Sequence, residues 1–519
     1  MSVRGAAHVA SIGAAFAAGA DPDRGDREER AEIVVVGSGA GGAVVAAELA
    51  EAGRDVLLLE EGDHATRVAP ETPPLARIGA LYRDGGLSGV VGNTFIAVPI
   101  GRTVGGTTTI NSGTCWRAPD DVLAGWERDS GIGGLSGGGL EAEYARVERA
   151  LGVAKVPEEL LGPGARLVRR GAEALGFHST PLSRNAIGCR GTGVCAFGCP
   201  RHAKQSTDVS FVPRAIAAGA RLLVRTRANR IVLEGSRATG LEATRLDGSD
   251  RPIGTLRVRA DRVVVAAGAL LTPGLLAASG LAPRGSEVGR HLRIHPASRV
   301  AALFDEPVRS WEGVPQSLQV RDFEPEGIIL QGIWVPPPLL APTLPGAGHA
   351  HERRMAAVER MASFGALISD SSEGRILRIG GRSLPWYRMN PTDVRRMQRA
   401  ISLLARIYFA AGAREVYPGL RQMPILRSRE EAERLEHAKV RASDFELMAF
   451  HPLGTTRMGV DPRRSVVDAS GRVHGTEGLY IADTGIFPGS TRLNPQLTLM
   501  ALATRIARGL IDRGAKPQG

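Results

Sequence analysis

The chain has 519 residues, of which 43% are hydrophobic and 23% are charged. This length exceeds what one hydrophobic core supports, so two or three domain-sized units are expected, and the composition excludes an intrinsically disordered protein. The formal net charge of +11 comes almost wholly from arginine, because the chain has only four lysines. Since the arginines are scattered and form no basic tract, no nucleic-acid partner is expected.

The first 30 residues contain a weakly apolar stretch made mainly of alanine and glycine. A signal peptide has a more strongly apolar centre, so residues 1–30 are expected to form a flexible leader. No apolar run reaches the ~18 residues of a membrane-spanning helix, which predicts no integral membrane segment. Four cysteines are too few for a disulfide framework in a chain of this size. A cytoplasmic location is therefore expected, with association to acidic membrane surfaces left open.

The first regular elements along the chain form a strand–helix–strand unit. Ile33–Val36 is a β-branched run, and a turn with the spacing Gly37-x-Gly39-x-x-Gly42 follows it directly. A helical pattern then leads to a second apolar strand that ends at Glu60. The glycine spacing alone is a weak signal, but in this context it predicts a dinucleotide site.

Each residue of the unit has its own task in such a site. Gly37 permits the tight turn, Gly39 lets the backbone approach a pyrophosphate, and Gly42 lets helix and strand pack closely. The helix N-terminus adds free N–H groups and partial positive charge for phosphates. Glu60 can accept hydrogen bonds from ribose hydroxyls, which favours an adenosine without a 2′-phosphate. The unit does not separate NAD from FAD, and a tight turn without a ligand is the structural alternative.

A second loop rich in glycine and hydroxyl groups spans Gly101–Gly113. An ordinary NAD dehydrogenase has no need for it, whereas its small residues and backbone donors suit a second approach to a larger cofactor. The loop therefore favours FAD over NAD, although a glycine-rich surface loop has the same composition.

Further elements of the nucleotide-binding type occur in the middle and at the end of the chain. Residues 262–266 and 479–483 are predicted strands of parallel-sheet character, and residues 496–511 a long apolar helix. Asn494 is predicted to cap this helix, with Pro495 at its first position. The intervening stretches differ in character, which indicates a discontinuous nucleotide domain interleaved with a substrate domain.

Five motifs in order make the chain similar to the glucose–methanol–choline (GMC) oxidoreductases from Ile33 to about Gly509. Besides the two glycine-rich segments, the family signatures present are Gly268–Leu276 with Ser279-Gly280, His451–Thr455 and Asp483–Ala501. The segment Cys189–Phe211 resembles the long-chain alcohol oxidase and cholesterol oxidase branches.

The resemblance implies an α/β fold, in which a Rossmann-like FAD-binding domain is interleaved with an α+β substrate domain built on an antiparallel sheet. The FAD-binding domain is expected to comprise residues 31–115, 205–297 and 455–515. The substrate-binding domain and cap are expected to comprise residues 116–204 and 298–454.

The resemblance also implies noncovalently bound FAD and oxidation of a CH–OH group. The positions that match the family's cofactor contacts are Gly37, Gly39, Gly42, Glu60, Gly101, Gly105, Asn111, Asp483 and Thr484, with Ala228 as a looser match at the adenine.

By the same residue-to-residue match, His451 and Asn494 form the catalytic pair beside flavin N5. An alcohol donates hydride readily only as its O–H proton leaves, and histidine is the side chain suited to accept that proton near neutral pH. Asn494, with a donor and an acceptor, can hold the substrate oxygen. His291, His295 and His474 match no catalytic position and are interpreted as structural.

The substrate and the electron acceptor are not determined by the sequence. Aromatic and apolar residues between Trp311 and Tyr387 are consistent with a pocket for an apolar alcohol, although each is equally consistent with a core position. The acceptor is oxygen, a quinone or another carrier. Two alternatives stay open: a family relative with lyase or photodecarboxylase chemistry, and a non-catalytic flavin-binding protein. The intact His451–Asn494 pair disfavours both.

Three cysteines, Cys189, Cys195 and Cys199, lie close together in the sequence. Their spacing fits neither a common zinc pattern nor a common iron–sulfur pattern. A structural loop is therefore favoured, and no metal site is predicted.

Overall fold

The computed structural model describes residues 24–64, 71–334, 336–380 and 382–514. Residues 1–23 of the expected leader lie outside these ranges. The first strand begins at Arg27, inside the expected leader, because Arg27 already pairs with Leu256 of a neighbouring strand. Residues 27–30 therefore belong to a sheet.

The strands of the described ranges are, in chain order, β1 Arg27–Val36, β2 Val56–Leu59, β3 Gly89–Gly92, β4 Ile96–Ala97, β5 Val153–Lys155, β6 Ser179–Pro181, β7 Ser183–Asn185, β8 Arg221–Leu223, β9 Thr226–Glu234, β10 Arg237–Leu246, β11 Pro252–Val265, β12 Ala297–Leu303, β13 Leu318–Val320, β14 Ile328–Gly332, β15 Met361–Ile368, β16 Gly374–Ile379, β17 Arg382–Tyr387, β18 Glu415–Tyr417 and β19 Leu479–Ile481. The α-helices are α1 Gly42–Glu51, α2 Pro74–Leu81, α3 Thr107–Ile110, α4 Asp120–Ser130, α5 Glu141–Leu151, α6 Pro163–Ala174, α7 Phe211–Ala217, α8 Thr272–Ala278, α9 Pro337–Leu340, α10 His349–Ala356, α11 Pro391–Ala410, α12 Arg429–Leu435 and α13 Gln496–Gly514.

One sheet has the order β8-β2-β1-β11-β10-β9, with β19 also paired to β11. The strands β8, β2, β1, β11 and β19 run parallel. The apolar runs of β2, β1, β19 and the end of β11 are buried because helices cover the sheet, whereas the edge strand β8 is only partly buried. The first part of β11 pairs with the antiparallel β10, and its last part, Val263 to Val265, pairs with β19. The Rossmann-like half of the predicted fold is confirmed.

A second sheet, of order β18-β12-β15-β14-β13-β6, is antiparallel throughout. The helix α11 packs on it and supplies buried residues such as Ile401 and Leu404 to a separate core. This helix is well defined at its start, where the Asn390 side chain accepts a hydrogen bond from Asp393 N at 2.8 Å and Pro391 follows the cap. The predicted antiparallel sheet is therefore present.

Packing places two segments differently from the boundaries expected at residues 115 and 116. Residues 89–98, assigned to the nucleotide domain, lie in the second core because β3 pairs with β17. Conversely, α4 and α5, assigned to the substrate domain, pack in the first core, since α5 lies against α13. Among the helices of the described residues, none is both long and apolar enough to cross a bilayer.

Candidate active site

The turn between β1 and α1 is shaped by glycines that have no room for a side chain. Gly37 has a φ of +98°, and a Cβ there would overlap the carbonyl of Ala266. A Cβ on Gly42 would overlap the carbonyl of Gly37. At Gly39, in contrast, a Cβ would meet no described atom within 4 Å. The structure thus leaves open space in front of Gly39, as the approach of a pyrophosphate requires.

Glu60 follows β2 and is buried, with 7% of its surface exposed. Its Oε2 accepts hydrogen bonds from Ser38 N at 3.1 Å and Ser38 Oγ at 2.6 Å, and its Oε1 accepts one from Gly62 N at 2.8 Å. Burial raises the pKa of this carboxyl, against the opposing effect of these hydrogen bonds. A carboxylate offers about four lone-pair sites, so one acceptor site on Oε1 remains for a ribose hydroxyl.

The second loop lies against the first. Gly105 N donates to Ser38 Oγ at 2.9 Å, and a Cβ on Gly106 would lie 3.1 Å from Gly39 Cα. A Cβ on Gly101 would overlap Gly106, so the loop is as compact as the first turn. Ser38 therefore joins both glycine-rich segments to Glu60, a role that its place inside the fingerprint did not reveal.

The C-terminal family signature, which begins at Asp483, also contributes to this site. The buried carboxylate of Asp483 accepts hydrogen bonds from Gly268 N at 2.9 Å, from Gly485 N at 2.8 Å and from the hydroxyl of Thr272. Burial raises the pKa of Asp483. Thr484 Oγ1 donates to the carbonyl of Pro452 at 2.7 Å and so connects this segment to the residue after His451.

Ala228 lies on β9, two residues beyond Thr226, whose N–H donates to the carbonyl of Glu60 at 2.8 Å. This position next to the expected ribose acceptor agrees with the looser match of Ala228 to the adenine contact.

Two buried cations support the second loop from behind. Lys204 Nζ donates to the carbonyls of Thr109, Asn111 and Cys195 at 2.7, 2.6 and 3.0 Å, and burial lowers its pKa to about 8. Arg184 donates to the carbonyl of Ser112 and, at 3.2 Å, to Cys195 Sγ. All four cysteines are free, and no three His, Cys, Asp or Glu side chains of the described residues are grouped to hold a metal ion.

His451 and Asn494 lie together beside these loops. Asn494 Nδ2 is 3.3 Å from His451 Nε2, and Asn494 Oδ1 accepts from Gln331 Nε2 at 2.9 Å. Two residues after Asn494, Gln496 Oε1 accepts a hydrogen bond from the side chain of Asn111 in the second loop. The sequence-predicted pair is thus assembled next to the expected cofactor contacts, and Gln331 is an additional member that no local motif indicates.

The predicted cap of the last helix is wrong. The helix α13 begins at Gln496, and in its first turn Leu499 N donates a hydrogen bond to the carbonyl of Pro495. Asn494 lies two residues before this start, and its oxygen accepts from Gln331 while its amide group faces His451, so the described contacts of the side chain are not capping contacts.

His451 is partly buried, and burial of the ring lowers its pKa to about 4. The imidazole is therefore neutral at pH 7, as a general base must be. Its other nitrogen, Nδ1, lies 3.2 Å from Nδ1 of the fully buried His295. The structural interpretation of His295 overlooked this contact. His291 contacts Glu287 and Glu373, and His474 contacts Ser465, so neither lies at the pair.

The aromatic residues expected near the substrate are largely core residues. Phe323 packs edge-on against Phe177 at 4.8 Å between ring centroids. Trp334 is buried beside Trp311, and the Tyr387 hydroxyl donates to the buried Asp370 at 2.9 Å. These contacts indicate that most of the aromatic residues between Trp311 and Tyr387 are core residues and do not line a substrate pocket.

The arrangement fits a dinucleotide extended past the turn at Gly39 toward the His451–Asn494 pair. No side-chain cap covers the N-terminus of α1 within the described chain, so its N–H groups are available to phosphates. Glu60 keeps an acceptor site at one end, and the second loop continues to Asn111 and the pair at the other.

Comparisons with known proteins give the same family for nearly the whole chain. Family models described as GMC oxidoreductase match residues 78–297 and 383–503, and an NAD(P)-binding Rossmann-like model matches residues 35–73. An uncharacterized GMC-type oxidoreductase of Mycobacterium tuberculosis is 41% identical over 92% of this chain and 75% of its own length. Another from Sinorhizobium fredii is 34% identical over 94% and 95% of the two chains. A long-chain-alcohol oxidase of Arabidopsis thaliana is 28% identical over 93% of this chain and 68% of its own.

Solved structures share the fold. Pyridoxine 4-oxidase from Mesorbium loti superposes with a TM-score of 0.70 at 20% identity, covering 92% of this chain and 99% of that one. Formate oxidase from Aspergillus oryzae RIB40 gives a TM-score of 0.71 at 16% identity, over 95% and 99% of the two chains. With the motifs and the two matched models, these findings show that the chain belongs to the GMC oxidoreductase family, whose members use FAD.

Proposed function

We propose that this chain oxidises an apolar alcohol to an aldehyde or ketone, with His451 as general base and Asn494 as the residue that holds the substrate oxygen. The observation that carries the proposal is the approach of His451 Nε2 to the Asn494 amide, at 3.3 Å beside the cofactor loops. Burial, which lowers the pKa of His451 to about 4, favours the neutral imidazole that a base needs. Bound FAD would supply the acceptor for the hydride of the carbinol carbon. It would be held by Gly37, Gly39, Gly42 and Glu60 at the adenosine end, and by Gly101, Gly105, Asn111, Asp483 and Thr484 toward the pair.

His451 and Asn494 have different roles in the proposed reaction. His451 Nε2 accepts the hydroxyl proton, because it is the unprotonated nitrogen of a neutral ring. When the alcohol binds, its O–H replaces the Asn494 amide as the donor to His451 Nε2, and Asn494 Nδ2 donates to the substrate oxygen and fixes the direction of the carbinol C–H bond. Gln331, buried on β14, holds Asn494 Oδ1 and therefore keeps the donor side of the amide toward His451.

The apolar character of the substrate is supported by the exposed Phe450 directly before His451, and by the similarity to a long-chain-alcohol oxidase. The electron acceptor and the compartment are not fixed by these features. The four free cysteines agree with a reducing cytoplasm.

The test is anaerobic bleaching of the flavin absorbance by a panel of alcohols. The panel contains linear alcohols of increasing chain length, a sterol, a terpenoid alcohol and a sugar. Bleaching by apolar members is expected, and a preference for the sugar would contradict the substrate class. A flavin that stays oxidised with every alcohol, in protein that binds FAD fully, would favour lyase or photodecarboxylase chemistry or a non-catalytic role.

A further inference from the structure

A directed chain of hydrogen bonds leads away from His451 on the side opposite to Asn494. As the two amides are oriented, Gln331 Nε2 donates to Asn494 Oδ1, and this turns the Asn494 Nδ2 donor toward His451 Nε2. A neutral imidazole then carries its proton on the other nitrogen, so His451 Nδ1–H points at His295 Nδ1, 3.2 Å away. The direction of the chain follows from the orientation of the two amides.

The chain continues through His295 to two serines. Because its Nδ1 accepts, the neutral His295 ring carries its proton on Nε2 and donates to Ser490 Oγ at 2.6 Å. Ser490 Oγ also accepts from Arg492 N at 3.1 Å, so its own hydrogen is left to donate to Ser369 Oγ at 2.8 Å. His295 is fully buried, whereas both serines are partly exposed.

We propose that His295 is a positioning residue that acts through His451. It accepts the Nδ1–H bond, which keeps Nε2 unprotonated and turned toward the substrate, and it takes over that proton when Nε2 receives one from the alcohol. The inference rests on the proposed function of His451.

The proton steps balance. The alcohol O–H bond breaks and a His451 Nε2–H bond forms, while the His451 Nδ1–H bond breaks and a His295 Nδ1–H bond forms. The His295 Nε2–H proton passes to Ser490 Oγ, the Ser490 proton passes to Ser369 Oγ, and the Ser369 proton passes to solvent water at this partly exposed residue. One proton thus leaves the alcohol and one reaches solvent water, so no positive charge stays on His451 in its buried setting.

The surroundings of His295 indicate that specific contacts fix its position and that the side chain does more than fill space in the core. The His295 φ of +48° lies in the left-handed region, which is unfavourable for a non-glycine residue. The Asp370 carboxylate secures this backbone by accepting from the N–H groups of Ile294 and His295. Among the described residues no carboxylate accepts from either imidazole, and Arg293, the nearest cation in sequence, is bound to Glu373 and backbone carbonyls. A proton received by one ring is therefore not held in place by a carboxylate and can pass along the chain of hydrogen bonds.

The experiment compares His295→Leu and His295→Asn with the parent, all loaded with FAD. His474→Gln is the matched control, because His474 makes comparable hydrogen bonds away from the pair. Leucine removes the acceptor, so anaerobic flavin reduction by an alcohol should slow by about 10- to 100-fold, as for other residues that orient a functional imidazole. Asparagine can accept the hydrogen bond from His451 Nδ1–H but cannot carry a proton onward. The rate of flavin reduction in His295→Asn should therefore lie between those of the parent and His295→Leu.

Two readouts separate this role from a structural one. The rate plotted against the deuterium content of the solvent should be curved in the parent and in His474→Gln, where several protons move, and linear in His295→Asn. In ¹H NMR of the loaded protein, a downfield exchangeable imidazole N–H signal should be present in the parent and in His474→Gln, and lost in His295→Leu and in His451→Ala.

A parent-like rate and a curved plot in His295→Asn would overturn the inference, as would persistence of the N–H signal in His295→Leu. If His295→Leu fails to hold FAD, the asparagine variant decides on the same criteria. If no alcohol reduces the parent flavin, the proposed function fails, while the N–H signal still tests whether the imidazoles are coupled.

Discussion

The cofactor turns and the His451 site lie next to each other but are held in different ways. At the turns, backbone is packed against backbone, so that Gly37, Gly41 and Gly42 have no space for a methyl group. At the His451 site, side chains from separate segments meet through hydrogen bonds, with Gln331 on a strand of the antiparallel sheet and His295 just before another. The tightly packed turns therefore tolerate no larger side chain. At the His451 site, in contrast, a substitution that removes one hydrogen bond is expected to lower the activity without abolishing it.

The largest effect is expected at Gly41. A Cβ there would overlap the carbonyl of Ala482, which is rigid backbone, so Gly41→Ala should give no folded, FAD-loaded protein. Gly39→Ala is the matched control, because its Cβ would meet no described atom within 4 Å. It should fold but retain little FAD, since the methyl group fills the space that a pyrophosphate approaches. Thermal unfolding and FAD content measure both outcomes; normal FAD binding by Gly39→Ala would place the cofactor elsewhere.

The second effect tests the chemistry. His451→Ala should keep FAD bound but slow flavin reduction by about 10²–10⁴-fold, the usual range for a positioned general base. Stopped-flow reduction without oxygen isolates this step from the unidentified acceptor. A variant that reduces its flavin at the parent rate would rule out His451 as the base.

A smaller effect is expected at Gln331. Gln331→Leu leaves the Asn494 amide free to turn, so reduction should slow by about 10-fold with FAD content unchanged. Gln319→Leu is the control: Gln319 is buried opposite Gln331 on the adjacent strand but bonds to Thr180. Equal slowing in both variants would indicate general damage to the sheet instead of loss of amide orientation.

The smallest effect is in the pH dependence. A base works in its unprotonated form, so the reduction rate should fall as the pH drops through the pKa of His451. Because burial lowers that pKa to about 4, the rate should change less than about twofold between pH 6 and pH 9. A histidine at its ordinary pKa of about 6.5 would instead lose roughly three quarters of its activity at pH 6. Single-turnover reduction across this range distinguishes the two.

The sequence predicts the glycine turns better than the His451 site, because the turns are a local pattern and the site is assembled from distant segments. The turn at Gly37–Gly42 and the strands around it form a local pattern, and the Rossmann-like sheet appears as expected. Ser38 and Gly41 were missed, because their importance depends on Glu60 and Ala482, which are distant in sequence. Similarly, the sequence gives no signal for the pairing of β3 with β17 or for the packing of α5 on α13, because both contacts are long-range.

For the proposed catalytic pair, the family resemblance supplied His451 and Asn494, and the structure brings them together. The capping role predicted for Asn494 came from a local rule and was overridden by Gln331, whose approach depends on the fold of the antiparallel sheet. His295 likewise becomes visible only when the chain before β12 is placed beside residue 451.

The pairing of β19 with the end of β11 has a consequence for how the protein is made. The sheet that carries the cofactor turns begins with β1 but is completed by a strand at Leu479–Ile481, and α13 then packs on α1. Gly41 rests against Ala482 of that late segment. The nucleotide domain therefore cannot close before residues 479–514 have been synthesised, and its long-range contacts make folding slow. Until then, the surfaces of β11 and α1 that β19 and α13 cover in the folded protein stay exposed.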